Sequence, residues 1–319
     1  MRRVWVLGGG GMLGAALSRE LHQGGAHVYR YRESFDWKTP QHVRQQFDAA
    51  TQEFLSGLSA GDDWEIYWAA GVGSMGSSKA DLDGETFVLG EFLGLLAQGL
   101  QQCGVPGMVG FASSAGALYA GSQDFEITEC TAVTVINDYA AAKLAQERLF
   151  EDFASRIADV RVLLARFSTL YGPGQAQGKR QGLLSHIARC ALRHQPVEIF
   201  VPLDTSRDYL FVEDAASGFI VALQALRAQD KRTQVKIVAA ERSVTISEII
   251  ATFNRLNKRR LRIVCNRNNL SAMYARRVAY RSVSPLGAAG EICHTTLLEG
   301  AAALLRVERM TYIAGSNKG

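Results

Sequence analysis

The sequence is poor in proline, in closely spaced cysteines and in net charge. Proline occurs 6 times in 319 residues, against 31 glycines. Those glycines follow no fixed period, which excludes a collagen-like chain. The cysteines are Cys103, Cys130, Cys190, Cys265 and Cys293. None lies in a CxxC spacing, so a zinc or iron–sulfur site is not expected. Their odd number and wide scatter suggest reduced, mostly buried thiols in a cytoplasmic protein. Lys and Arg total 35 against 31 Asp and Glu, a net charge of +4. That balance gives no footprint for nucleic acid. No stretch of about 18 uninterrupted apolar residues is present, so no membrane span is expected. Arg2 and Arg3 precede an apolar run from Val4 to Leu17, but Gly8 to Gly11 interrupt it and no small-residue cleavage site follows. A secretory leader is therefore not expected.

What is present is a packed-core composition, 47% hydrophobic, and an alternation of short apolar runs with helical stretches. Val4–Leu7, His27–Tyr31, Ile66–Ala70, Met108–Ala112 and Val160–Ala165 read as buried strands. Met12–Gln23 carries Leu13, Leu17 and Leu21 at helical spacing, and Gly24-Gly25 stops it. Thr86–Gln102 and Asp138–Ala154 are long enough for helices. This order predicts an α/β fold, a doubly wound parallel sheet with right-handed crossovers. Further on, Gly172–Arg180 reads as a loop, Gly182–Arg193, Glu213–Gln229 and Thr245–Asn257 as helices, and Val197–Val201 and Val235–Ala239 as strands. A Thr-Ile-Ser-Glu capping pattern opens the last of those helices. Lys258–Arg262 reads as a solvated basic loop.

Gly8-Gly9-Gly10-Gly11-Met12-Leu13-Gly14 is a GxxGxxG turn between a strand and a helix. Glycine lets the backbone turn tightly and approach a pyrophosphate, and the helix N-terminus offers free N–H groups. Arg30 and Arg32 lie at the end of the second strand, Arg32 near the position where an acidic residue would bind ribose hydroxyls. A guanidinium there suits a 2′-phosphate and favours NADP over NAD; the alternative is an exposed arginine, with Glu33 on the ribose. Tyr139 and Lys143 are four apart, on one helix face. Tyrosine titrates near 10 in water, and a neighbouring ammonium favours its phenolate. Ser113-Ser114 ends a strand, where a hydroxyl can bond a reacting oxygen.

These motifs resemble the short-chain dehydrogenase/reductase superfamily, in its extended, nucleotide-sugar epimerase/dehydratase branch. Trp68-Ala69-Ala70-Gly71, the Arg166–Pro173 segment and Arg207-Asp208-Tyr209 through Asp214 add to the likeness, which spans nearly the whole chain. The resemblance implies a Rossmann domain over 1–171 and about 206–240. It implies a smaller C-terminal α/β substrate lobe over about 172–205 and 241–319. It implies that Gly8, Gly11, Met12, Leu13, Gly14, Ala69, Ala70, Gly71 and Phe167 contact NAD or NADP. Tyr139 is the implied acid/base, and Lys143 binds the nicotinamide ribose and lowers the tyrosine pKa. Ser114, Thr169 and Arg207 would meet a nucleoside-diphosphate sugar. Arg207 has the alternative of an ion pair with Asp208 or Asp214.

Two departures stand out. The family's third hydroxyl after the serines is Ala115 here, which leaves Ser114 one position early. Thr169 stands where the family usually has Asn. The implied activity is a C4 epimerase, with an NADPH-dependent 4-ketoreductase as one alternative and a catalytically silent NADP-binding regulator as another. A homodimer through the Thr86–Gln102 and Asp138–Ala154 helices is also implied. No metal and no nucleic acid enter this reading.

Overall fold

In a computed structural model the described residues are 2–319, apart from 60, 72, 176–181, 267–276, 289–291 and 317–319. Residues 176–180 of the predicted Gly172–Arg180 loop therefore lie outside the description.

Six strands form the main sheet: β1 (Arg2–Leu7), β2 (His27–Tyr29), β3 (Asp63–Trp68), β4 (Gly107–Ser114), β5 (Val160–Phe167) and a late strand, Thr233–Val238. Their order is β2-β1-β3-β4-β5 and then the late strand, parallel throughout. Strands β2 and β3 flank β1 on opposite sides, so the order reverses there. A doubly wound sheet binds ligands in the crevice at such a reversal, beyond the carboxyl ends of the strands.

Side chains alternate across the sheet. Trp5, Leu7, Trp64, Ile66, Val109, Phe111, Val162 and Leu164 point to one face. Three helices cover that face: α2 (Pro40–Ser56), α3 (Lys79–Cys103) and α5 (Asp138–Arg156). Val4, Tyr67, Met108, Leu163, Ala165 and Phe167 point to the other. There they meet α1 (Met12–Gln23) and α7 (Val212–Ala225). A one-turn helix, α4 (Ala115–Leu118), follows β4 directly.

A third apolar cluster gathers α6 (Leu183–Arg193), α8 (Ile246–Asn257) and α9 (Leu297–Ser316). A short sheet separates it from the second cluster. Its strands are β6 (Thr169–Tyr171), β8 (Ser206–Phe211) and β10 (Ser243–Thr245), in the order β10-β8-β6. The paired Leu170 and Leu210 face the second cluster, while the paired Tyr171 and Phe211 face the third. The remaining strands are β7 (Val197–Ile199) and β11 (Ile263–Cys265), paired parallel, and the late strand of the main sheet is β9.

Helix α1 has the predicted bounds, and the capping box at Thr245 and Glu248 is present. The cysteines depart from expectation. All are free thiols, but Cys190 alone is buried, and Cys130 and Cys265 are exposed. Cys130 lies in a loop and Cys265 on a strand of a two-stranded ribbon, neither covered by a helix. No helix among the described residues is long and apolar enough to cross a membrane.

Candidate active site

The glycine turn is set by close backbone contacts. Gly8 has φ +87°, in the region that favours glycine. A Cβ on Gly8 would lie 2.5 Å from the Ala70 nitrogen, and one on Gly14 would lie 2.1 Å from the Gly8 carbonyl. The end of β3 thus rests on the turn, and Ala69 N–H donates to the Leu7 carbonyl at 2.9 Å. The Gly11 N–H closes the turn onto the Gly8 carbonyl at 2.9 Å.

Gly9, Gly10 and Gly11 are exposed, and Gly10 has nothing near its absent side chain. Helix α1 starts at Met12 with no side-chain cap and no acidic residue in its first turn. This cradle of small residues at a positive helix end fits a pyrophosphate. Leu13 turns its side chain into the second cluster, leaving its backbone to the turn. Gly174, with φ +90°, brings a second loop to the same place: its Cβ position is 3.6 Å from the Met12 Cα.

At the end of β2, Arg30 and Arg32 are both exposed. Arg32 Nε lies 3.6 Å from Glu33 Oε1, so the two candidate ribose-end residues adjoin. Tyr31 stacks on Phe35 at 5.4 Å and holds this segment against the first cluster.

Ser113 and Ser114 part company at the end of β4. Ser113 is buried, and its hydroxyl donates to Glu147 Oε1 at 2.6 Å on α5. Ser114 caps α4, accepting from the Ala117 N–H at 3.2 Å, and also hydrogen-bonds with Tyr139. Ala115 is fully buried against Tyr119 and Ile237.

Burial pushes the Tyr139 phenol up to about 12; the Ser114 bond opposes that rise and the Glu85 carboxylate adds to it. Burial also lowers Lys143 to about 8, against the pull of Glu85 and Glu147. The Lys143 ammonium donates to Gln146 Oε1 at 3.1 Å and to the Ala112 carbonyl at 3.5 Å. It lies over the rings of Phe111 and Tyr139, at 4.9 and 5.9 Å. The ammonium therefore meets the face of Tyr139, and the expected lowering of the tyrosine pKa is not what this arrangement produces.

Phe167 is the register partner of Ser114 across β4 and β5, with its ring in the second cluster. It shares the strand face of Leu163 and Ala165 and packs edge-on against Phe219 at 5.4 Å, 3% exposed. Strand alternation sends Arg166, its neighbour, to the α5 side instead.

Thr169 opposes Tyr209 in the β6–β8 register and is exposed. Arg207, two residues before Tyr209, shares that sheet face. Its Nη1 donates to the Ser206 carbonyl at 2.8 Å. Asp208 accepts from the Ala240 and Arg242 N–H groups, and Asp214 from Thr295 and Cys293.

Several residues at the site were not among the predicted ones. Glu85 on α3 accepts from the Gly73 N–H at 2.7 Å and acts on both Tyr139 and Lys143. Glu147 and Arg166 form a buried ion pair behind Lys143 (below). The signal for Glu147 was its place four residues after Lys143; nothing comparable marked Glu85.

The doubly wound parallel sheet with the glycine turn at its reversal point defines a Rossmann-type α/β fold. The chain belongs to the NAD dependent epimerase/dehydratase family, whose model matches residues 4–237. It is 26% identical to the dTDP-4-dehydro-6-deoxyglucose reductase of Escherichia coli over 150 residues, 47% of this chain and 46% of that reductase. It is also 26% identical over 113 residues to a putative UDP-glucose 4-epimerase of Methanocaldococcus jannaschii, 35% of this chain and 37% of that protein. The matched segments span less than half the length of these curated relatives. Among solved structures, the chain resembles RMD from Pseudomonas aeruginosa complexed with NADPH, at TM-score 0.78 and 22% identity over 98% of this chain and 100% of that one. It resembles the UDP-glucose 4-epimerase of Thermotoga maritima with UDP-glucose, at TM-score 0.76 and 18% identity over 97% and 99%. Those two likenesses establish the fold.

Proposed function

We propose that the protein is an NAD(P)-dependent nucleotide-sugar epimerase acting at C4. The observation that carries this reading is the convergence of Tyr139, Ser114 and Lys143 at the carboxyl end of β4. The Gly8–Gly14 turn supplies a dinucleotide cradle at the sheet's reversal point. A nicotinamide dinucleotide bound there supplies the hydride acceptor and donor. Gly8 to Gly14 would hold the pyrophosphate, Ala69 to Gly71 the adenosine side, and Lys143 the nicotinamide ribose.

The chain's own part is proton handling and position. Ser114 would hold the C4 oxygen beside Tyr139. Tyr139 would take the hydroxyl proton as the keto sugar forms and return it after the ketone has turned over. Thr169 and Arg207, on one face of the short sheet, would hold the sugar and its diphosphate.

The second reading, a 4-ketoreductase, is favoured by Tyr139 itself. A phenol raised to about 12 is protonated at neutral pH and is a ready proton donor to a keto oxygen. Incubation with UDP- and dTDP-sugars separates the two. An epimerase yields the C4 epimer with no net change in nicotinamide absorbance. A reductase consumes NADPH with a keto sugar. Dinucleotide binding without either reaction over a broad sugar panel would overturn both and favour a silent NADP-binding protein.

Arg32 sets the dinucleotide preference on this reading. Arg32→Ala is expected to weaken NADP binding by about 10- to 150-fold, since a charge-assisted bond contributes about 1.5–3 kcal/mol, and to leave NAD binding unchanged. Equal Kd ratios before and after the substitution would return the role to Glu33. The four-helix homodimer through α3 and α5 is part of the same proposal, and light scattering tests it.

A further inference from the structure

Behind the Tyr139–Lys143 pair lies a buried cluster that the reading above does not use. Tyr139, Lys143 and Glu147 follow one another at four-residue steps, along one face of α5. Glu147 is 2% exposed. Arg166 on β5 grips it through two bonds, Nε to Oε1 at 2.9 Å and Nη2 to Oε2 at 2.6 Å. Arg166 Nη1 donates to the Tyr119 hydroxyl at 2.5 Å. Ser113 on β4 donates to the same Glu147 Oε1 at 2.6 Å. One carboxylate thus ties α5 to the ends of two strands, β4 and β5, whose paired residues Ser113 and Arg166 are register partners. Ser114, the next residue on β4, is the one bonded with Tyr139.

The same carboxylate acts on Lys143. The groups around that ammonium are few. Helix α3 gives Glu85, with Thr86 reached through Gln146 at 3.3 Å. Strand β4 gives the Phe111 ring and the Ala112 carbonyl. Helix α5 gives Tyr139, Gln146 and Glu147, and β5 gives Arg166 through Glu147. Glu85 and Glu147 are the negative charges in that set. A buried ion pair held this closely is costly to desolvate and is weak evidence for a purely stabilising role.

We propose that Glu147 is a positioning residue: clamped by Arg166 and Ser113, it aligns Tyr139 with Ser114 and supplies a fixed negative charge against which the Lys143 ammonium is held. This rests on the proposed role of Tyr139 and Lys143, but its test does not require turnover. Lys143 is read directly by NMR of lysine Cε carbons in the full-length protein, assigned with Lys143→Arg. In the unsubstituted chain it titrates at about 8. Removing a carboxylate disfavours the ammonium, so the midpoint moves down. In Glu147→Gln the midpoint is expected to fall by about half a unit or more. In Glu147→Asp, which keeps the charge, it stays near the original value. Because Glu147→Gln strands a buried guanidinium, Glu147→Gln/Arg166→Met is the companion variant; loss of the guanidinium charge offsets part of the effect of losing the carboxylate, so its midpoint falls less. An unchanged midpoint in folded Glu147→Gln overturns the proposal. So does failure of both to fold, which would make the pair architectural. A shifted midpoint in a protein that turns over no nucleotide sugar would leave Glu147's role standing and sink the functional reading instead.

Discussion

Tyr139→Phe will lower turnover by about 10²–10⁴-fold, the range that a positioned general acid or base contributes. Tyr139 enters α5 one residue after its first, Asp138, with Asn137 capping through Ala140 N–H at 2.8 Å. Removing the hydroxyl leaves the helix start untouched, because that cap uses other atoms. The lost bond is the one with Ser114. Dinucleotide affinity and the thermal midpoint should therefore change little. Steady-state kinetics, a dinucleotide titration and a melt check the three parts. Turnover within threefold of the unsubstituted enzyme would remove Tyr139 from the chemistry. Loss of dinucleotide binding together with turnover would make its role structural.

Lys143→Met is expected to inactivate the enzyme and to raise its thermal midpoint at neutral pH. The ammonium is buried and sits at about 8 rather than at the ordinary lysine value. Its charged form is therefore less favourable in the fold than in the unfolded chain. The sign follows from proton counting. Below about pH 8 both states carry the proton and the whole deficit is present. As pH rises through 8, the folded protein releases its proton first, and stability increases until the unfolded lysine titrates near 10. Methionine fills the volume without the charge. The gain at pH 7 should be about 1–3 kcal/mol, or about 2–6 °C in a chain of this size. It should shrink when the melt is repeated above pH 10. A lower midpoint at pH 7 would mean that the bonds to Gln146 and Ala112 outweigh the desolvation.

The strand-forming and helix-forming stretches that alternate along the first half were legible because each buries one apolar stripe at its own period. The glycine turn was legible for another reason: it needs residues without a Cβ, and Gly8 and Gly14 show why. Pairing across the short sheet was not legible. Its strands are three to six residues long and carry Thr169, Arg207 and Asp208, too short and too polar for a period to emerge. Helix α2 does carry Val43, Phe47, Ala50 and Phe54 on one stripe, a pattern that periodicity alone could have assigned. The place of Phe167 follows from alternation along β5, which a motif alignment ignores. Ser114 illustrates a different limit. Its role depends on which way two adjacent hydroxyls turn at a strand end, and a partner on α5, 33 residues after Ser114 and 34 after Ser113, decides it.

The short β10-β8-β6 sheet carries a consequence for how such a protein can be rebuilt. Its strands come from three separate stretches of chain, at 169–171, 206–211 and 243–245. Between them the chain departs to α6 and β7, then to α7 and β9, and after the third stretch it runs straight into α8. The polypeptide crosses the boundary between the second and third apolar clusters repeatedly, so no single cut divides the molecule into two separable pieces. Exchange of sugar-binding parts between relatives would have to replace several segments together. A one-junction chimera would leave a strand of this sheet facing a partner it never evolved beside. On the proposed reading, a change of sugar would have to be made through side chains such as those of Thr169 and Arg207 rather than by exchange of a whole module.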